Sequence, residues 1–175
     1  MTDDQRLIER IRRHIQNPRN INWFTQRIEN HVATRYPPAT QQAVASAEAE
    51  IGFRLPELIR EIYFQIGNGG FGPGDGIIGV EGGYQIYGAT LAQNTLDSRD
   101  AEVFFAEMGW YEPDWHWSPA YIMYCYWGCN VTTLVDCSDP SLPVYSLDST
   151  VMTPHSSHTL RQWWEDWLDG KVNQY

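Results

Sequence analysis

Between residues 67 and 76 the chain reads Gly-Asn-Gly-Gly-Phe-Gly-Pro-Gly-Asp-Gly, six glycines in ten positions. Such a run has too few side chains for a helix or a central strand, and it suits backbone that must turn sharply. Its neighbours decide its meaning. Upstream, Leu58, Ile59, Ile62, Tyr63 and Ile66 recur at helical spacing, and Gly67 is a suitable residue just past a helix end. Downstream, 77–80 reads as a short strand, 81–83 as a turn and 84–87 as a second short strand. The order is helix, glycine run, strand. A dinucleotide fingerprint runs the other way, from strand into helix. A P-loop needs a Gly-Lys-Ser/Thr triplet to meet phosphates and magnesium, and the one lysine is Lys171. Asp75 would repel a phosphate. The run is therefore a structural turn.

Around it the apolar spacing predicts helices over 3–16, 21–33, 41–50 (capped by Thr40), 89–108 and 158–169. In the fourth, Leu91, Leu96, Val103, Phe104 and Met108 should point inward. Residues 120–126, 130–136 and 143–147 read as strands, with turn residues at 136–140 between the last two. Residues 110–118 read as a loop. Leu160, Trp163, Trp164, Trp167 and Leu168 form one broad stripe on the last helix, the pattern of a core face. The expected fold class is α+β, with residues 1–38 an N-terminal helical extension and 39–175 the main domain.

Charge limits the partners. Residues 1–35 carry seven arginines against four acids, net +3, whereas 36–175 carry five bases against eighteen acids, net −13. A body this acidic is repelled by phosphate backbones, so nucleic acid is a poor partner. It favours basic ones. No run approaches the roughly 18 apolar residues that span a bilayer, and no apolar segment follows the acidic start, so neither membrane insertion nor export is expected. A cytoplasmic setting follows, with Cys125, Cys129 and Cys137 as reduced thiols. Their C-x3-C-x7-C spacing is not that of a zinc site. On the predicted 121–126/131–137 hairpin, Cys129 and Cys137 would stand about 25 Å apart, at about 3.3 Å per residue, too far to bridge. His155 and His158 bracket two serines, with no third ligand indicated, and read as capping or surface residues. No nucleophile elbow is present. Cofactor, metal and catalytic residues are all expected to be absent.

The most unusual segment is 110–117, where Trp110, Tyr111, Trp115 and Trp117 alternate with Glu112, Asp114 and His116. Trp and Tyr give large contact area at low entropic cost, and neighbouring acids can pair with Arg or Lys on a partner. The alternative is that these rings fold inward over the sheet, leaving only the acids in water.

Several short motifs, in order, resemble the SUKH superfamily, which includes the Smi/Knr-type cell-wall assembly regulators and many bacterial proteins. They are Ile51-Gly52-Phe53-Arg54-Leu55-Pro56 with its following helix and Asn68-Gly69-Gly70; Tyr126-Trp127-Gly128-Cys129 followed by Val135-Asp136; Pro143-Val144-Tyr145 followed by Asp148; and the closing helix from Ser157 to Leu168. The likeness covers about residues 40–170. It leaves 1–35 and 89–118 unexplained. It implies a twisted, largely antiparallel sheet backed by helices, and no catalysis. Leu55, Pro56, Gly69, Gly70, Trp127 and Gly128 would then determine the fold. Bacterial members resemble immunity proteins that neutralise secreted polymorphic toxins, nucleases and deaminases among them, by direct binding.

Together these readings lead to a cytoplasmic immunity-type protein. It would occlude the basic active site of a cognate toxin encoded nearby, with Glu112, Asp114, Trp115 and Trp117 as anchors and Asp75 and Glu81 as rim charges. Two other readings fit the residues. One is a general interaction or regulatory scaffold. The other is a carbohydrate-binding module with Trp115 and Trp117 as stacking platforms and Asp114 meeting hydroxyls. The sequence does not indicate an oligomeric state.

Overall fold

The computed structural model describes residues 1–16, 36–107, 118–128, 130–148 and 151–171, with the backbone alone at 101–107 and 151–157. The expected helix at 21–33, the loop at 110–117, Met108 and Cys129 lie outside these residues.

Helix α1 (Asp3–Ile15) begins with a capping box: Thr2 accepts from the Gln5 amide, and the Gln5 side chain accepts from the Thr2 amide. Asp3 and Asp4 in its first turn and Arg12, Arg13 and His14 in its last complement the helix dipole. Its apolar stripe, Leu7, Ile8, Ile11 and Ile15, is buried in the main core. Helix α2 (Gln41–Ile51) is capped by Thr40 as expected, through a 3.1 Å bond from the Ala43 amide, and ends at Gly52 with φ 90°. Helix α3 (Glu57–Gln65) follows Pro56 and buries Leu58, Ile59, Ile62 and Tyr63. Gly67 does not end it in the left-handed region. It is small for another reason: a β-carbon there would lie 2.9 Å from the Tyr36 carbonyl oxygen.

Five antiparallel strands lie in sequence order: β1 (Gly76–Ile77), β2 (Tyr121–Gly128), β3 (Val131–Asp136), β4 (Pro143–Asp148) and β5 (Val151–Thr159). Register places Ile122 opposite Val135, and Val135 opposite Val144. This row faces helix α4 (Leu91–Glu107), helix α5 (Leu160–Leu168) and the other helices across the main core. On the other face Tyr121, Leu134 and Leu147 form a smaller buried cluster with Met123 and Tyr145. The architecture is thus α+β, an open sheet with an N-terminal helix.

The tryptophan stripe of α5 is core. Trp163 and Trp164 cross edge to face at 5.1 Å and pack against Tyr124. Trp127 is buried too, its Nε1–H donating to Thr133 Oγ1 at 2.8 Å. Thr159 caps α5 by accepting from the Gln162 amide.

Five expectations need correction. The strand at 77–80 is confined to 76–77, because Gly79 pairs with Tyr84 and Leu91 rather than with a strand. No strand forms at 84–87; Tyr87 turns the chain with φ 53°, leaving one bridge between Ile86 and Ala89. Residues 151–159 form an unanticipated strand. It is an edge, the position in which a residue such as Pro154 is tolerated. The last helix accordingly starts at Leu160, two residues later than its periodicity suggests; His158 is exposed, the surface alternative of its two expected roles. Leu91 is buried as expected, whereas Leu96 is only half-buried.

Candidate partner-binding surface

The glycine run is fixed in place by Asn68. Its side-chain amide donates to the Glu81 carbonyl at 3.0 Å, and its Oδ1 accepts from the Val80 amide at 2.8 Å. The Asn68 backbone carbonyl accepts from Tyr84 at 2.9 Å. This packing leaves no room at Gly83, where a β-carbon would meet Asn68 Cγ at 2.2 Å. The clamp orients the turn that carries Glu81, whose side chain is exposed.

Asp75 sits between two left-handed glycines, Gly74 and Gly76. Its amide donates to the Tyr126 carbonyl at 2.8 Å, so its half-buried side chain stands beside the end of β2. The Tyr126 hydroxyl meets that of Tyr87 at 2.6 Å, and the rings are edge to face at 5.8 Å. The Asn130 amide also donates to the Tyr126 hydroxyl, at 3.4 Å. Burial above all, then the bond to Tyr87 and the nearby Asp75 charge, push the Tyr126 pKa upward.

Sequence reasoning missed this tyrosine pair, because its members are 39 residues apart. The available signal was Tyr87-Gly88, a two-residue reversal. Ile86 and Ala89 close it with reciprocal amide-to-carbonyl bonds of 3.1 and 2.9 Å, and both central residues have positive φ. Of the other predicted contact residues, the structure brings Asp75 to this pair and places Glu81 on the clamped turn. Glu112, Asp114, Trp115 and Trp117 lie outside the described residues.

The charge map is uneven in a specific way. Every described basic side chain has a partner within the molecule. Arg6 pairs with Asp3, Arg10 and Lys171 with Asp169, Arg12 and Arg13 with Glu9, Arg54 with Glu57, Arg60 with Glu48, and Arg161 with Asp4. Arg99 donates to the carbonyls of Ile51 and Pro119. Two of these pairs tie α1 to the α5 end of the chain with opposite polarity: Arg10 of α1 meets Asp169, and Asp4 of α1 meets Arg161. Glu50, Glu81, Asp97 and Asp100 remain exposed to solvent.

Nucleophilic chemistry is poorly served by the described thiols. Cys125 is fully buried, which pushes its pKa well up; burial chiefly, and Asp136 secondarily, push Cys137 up to about 12. Among the described residues no three His, Cys, Asp or Glu side chains group to hold a metal ion, and no helix is long and apolar enough to cross a membrane.

An open antiparallel sheet faced by helices, entered through an Asn-Gly-Gly crossing from the helix before it, defines an α+β domain. The profile of the SMI1 / KNR4 family (SUKH-1) matches residues 38–170, and the chain belongs to that family, which includes toxin-immunity proteins. No curated protein matches the sequence. The matched span runs from just before α2 through α5 and leaves α1 outside it.

Proposed function

We propose that this chain is an immunity-type binding protein of the cytoplasm, without catalytic activity of its own. It neutralises a cognate toxin by covering that toxin's basic active site. The observation that carries the reading is the disposition of charge. Residues 36–175 hold a net −13, and among the described residues each arginine and lysine has an acidic or carbonyl partner within the fold, while Glu50, Glu81, Asp97 and Asp100 are exposed. An enzyme that handles nucleic acid needs a cationic cleft, and an acidic, aromatic surface complements and occludes one. Glu112, Asp114, Trp115 and Trp117 supply the anchors of that surface, and Asp75 and Glu81 its rim.

The test is co-expression with the product of the neighbouring toxin gene, followed by co-purification and a viability assay. Protection and a stable complex are expected. Association slows as salt rises from 50 to 500 mM, since a long-range attraction is screened as the Debye length falls to a few ångströms. Trp115→Ala and Trp117→Ala each weaken the complex by about 1 kcal/mol or more while the fold persists. A complex whose association rate ignores salt would remove the electrostatic basis, and a folded double variant of full affinity would remove the 110–117 segment.

A further inference from the structure

Tyr87 is 84% exposed, and among the described residues only Met1 is a comparably exposed large hydrophobic side chain. Three features distinguish it from a stray surface ring. Its backbone is left-handed, φ 53°, at a position where hairpin reversals take Asn or Gly, so tyrosine is held there against its own preference. Its hydroxyl is tied to Tyr126 at 2.6 Å, so the ring is fixed before any partner arrives and loses little freedom on contact. The Asp75 backbone amide donates to the Tyr126 carbonyl at 2.8 Å, which brings the residue beside Tyr126, and its charge acts on the Tyr126 hydroxyl.

A fixed exposed ring, a pair of phenol oxygens and an adjacent carboxylate make up the contact set of a cation. The ring offers its negative face, the exposed Tyr87 oxygen accepts an N–H bond while the buried Tyr126 hydroxyl holds it in place, and the carboxylate supplies charge. We infer that Tyr87, Tyr126 and Asp75 form a docking site for an arginine side chain projecting from a basic protein partner. The planar guanidinium suits this set better than an ammonium, because it can stack on the ring while donating sideways. The inference rests on the proposed toxin-binding reading for the partner's identity. The arginine chemistry stands on the geometry alone.

Two arms keep those questions apart. The first titrates N-acetyl-arginine methylamide into full-length protein with 13C-labelled tyrosine rings, with the citrulline analogue as control. The expected result is saturable shifts at Tyr87 and Tyr126 with arginine only, lost in Asp75→Asn. Absent shifts, or equal shifts with citrulline, overturn the site. The second arm uses Tyr87→Asn, which restores a residue suited to the left-handed turn and so keeps or raises thermal stability. It is expected to weaken capture of the neighbouring toxin at least about tenfold. Full capture by Y87N would refute this surface as the contact while leaving the immunity reading intact. If wild-type protein captures no toxin, the immunity reading fails, and the arginine titration still decides the chemistry.

Discussion

Ile11 on α1 is fully buried, although α1 precedes the span matched by the family. Ile11→Ala removes three carbon groups, about 2.4 kcal/mol of transfer free energy at about 0.8 kcal/mol each. The cavity left between α1, α3 and α5 brings the loss to about 3 kcal/mol. A domain of this size unfolds in urea with a slope of about 2 kcal/mol/M, so the midpoint should fall by about 1.5 M. Tryptophan fluorescence reports the transition, since Trp163, Trp164 and Trp167 are buried in the same core. The control is Asp169→Asn, which cuts the Arg10–Asp169 pair. Both partners are over 40% exposed, so solvent screens the pair and the midpoint should barely move. If I11A shifts the main transition by less than about 0.5 M, or melts α1 alone, then α1 is an appendage and the reasoning is wrong.

Asn68→Ala strands the Val80 amide and the Glu81 carbonyl and should cost about 2–3 kcal/mol by urea denaturation. Gly83→Ala attacks the same clamp by overlap, so combining the two should cost less than their sum. Alkaline pH should destabilise the fold. Burial raises the pKa of Cys125, Tyr63 and Tyr124, and pushes Cys137 and Tyr121 to about 12. The folded state therefore prefers their neutral forms. That contribution is complete below the unfolded thiol value of about 8.5 and is lost as pH climbs toward about 12. A urea midpoint that is unchanged between pH 7.5 and 10.5 would contradict this. In a Cys129→Ser background, Cys125 and Cys137 should resist a disulfide reagent at pH 8 until urea is added.

The helices were legible because their apolar residues recur with the period of the backbone: Leu7, Ile8, Ile11 and Ile15 in α1, and the tryptophan stripe in α5. Thr40 announced α2 by its chemistry. Strands β2, β3 and β4 were legible from apolar and aromatic runs between turn residues. Strand β5 was not, since proline, serine and histidine carry no strand pattern and only pairing with β4 makes 151–159 extended. The 84–87 segment failed the other way: its alternating aromatics suggested a strand, but Tyr87-Gly88 reverses the chain. Asp75 and Glu81 could be picked out by residue type and by the glycines beside them. The Tyr87–Tyr126 contact and the Asp4–Arg161 pair join residues far apart in the chain, and a single sequence holds no signal for such meetings.

The seam between α1 and α5 has a consequence for how the molecule is made. Arg10 and Asp169 are separated by 159 positions, and the apolar face of α1 shares its core with the last tryptophans. At 5–20 residues per second, α5 leaves the ribosome on the order of ten to thirty seconds after α1. Throughout that interval Leu7, Ile8, Ile11 and Ile15 lack their final cover, so the newborn chain carries a sticky stripe that a chaperone must shield or that the rest of synthesis must outrun.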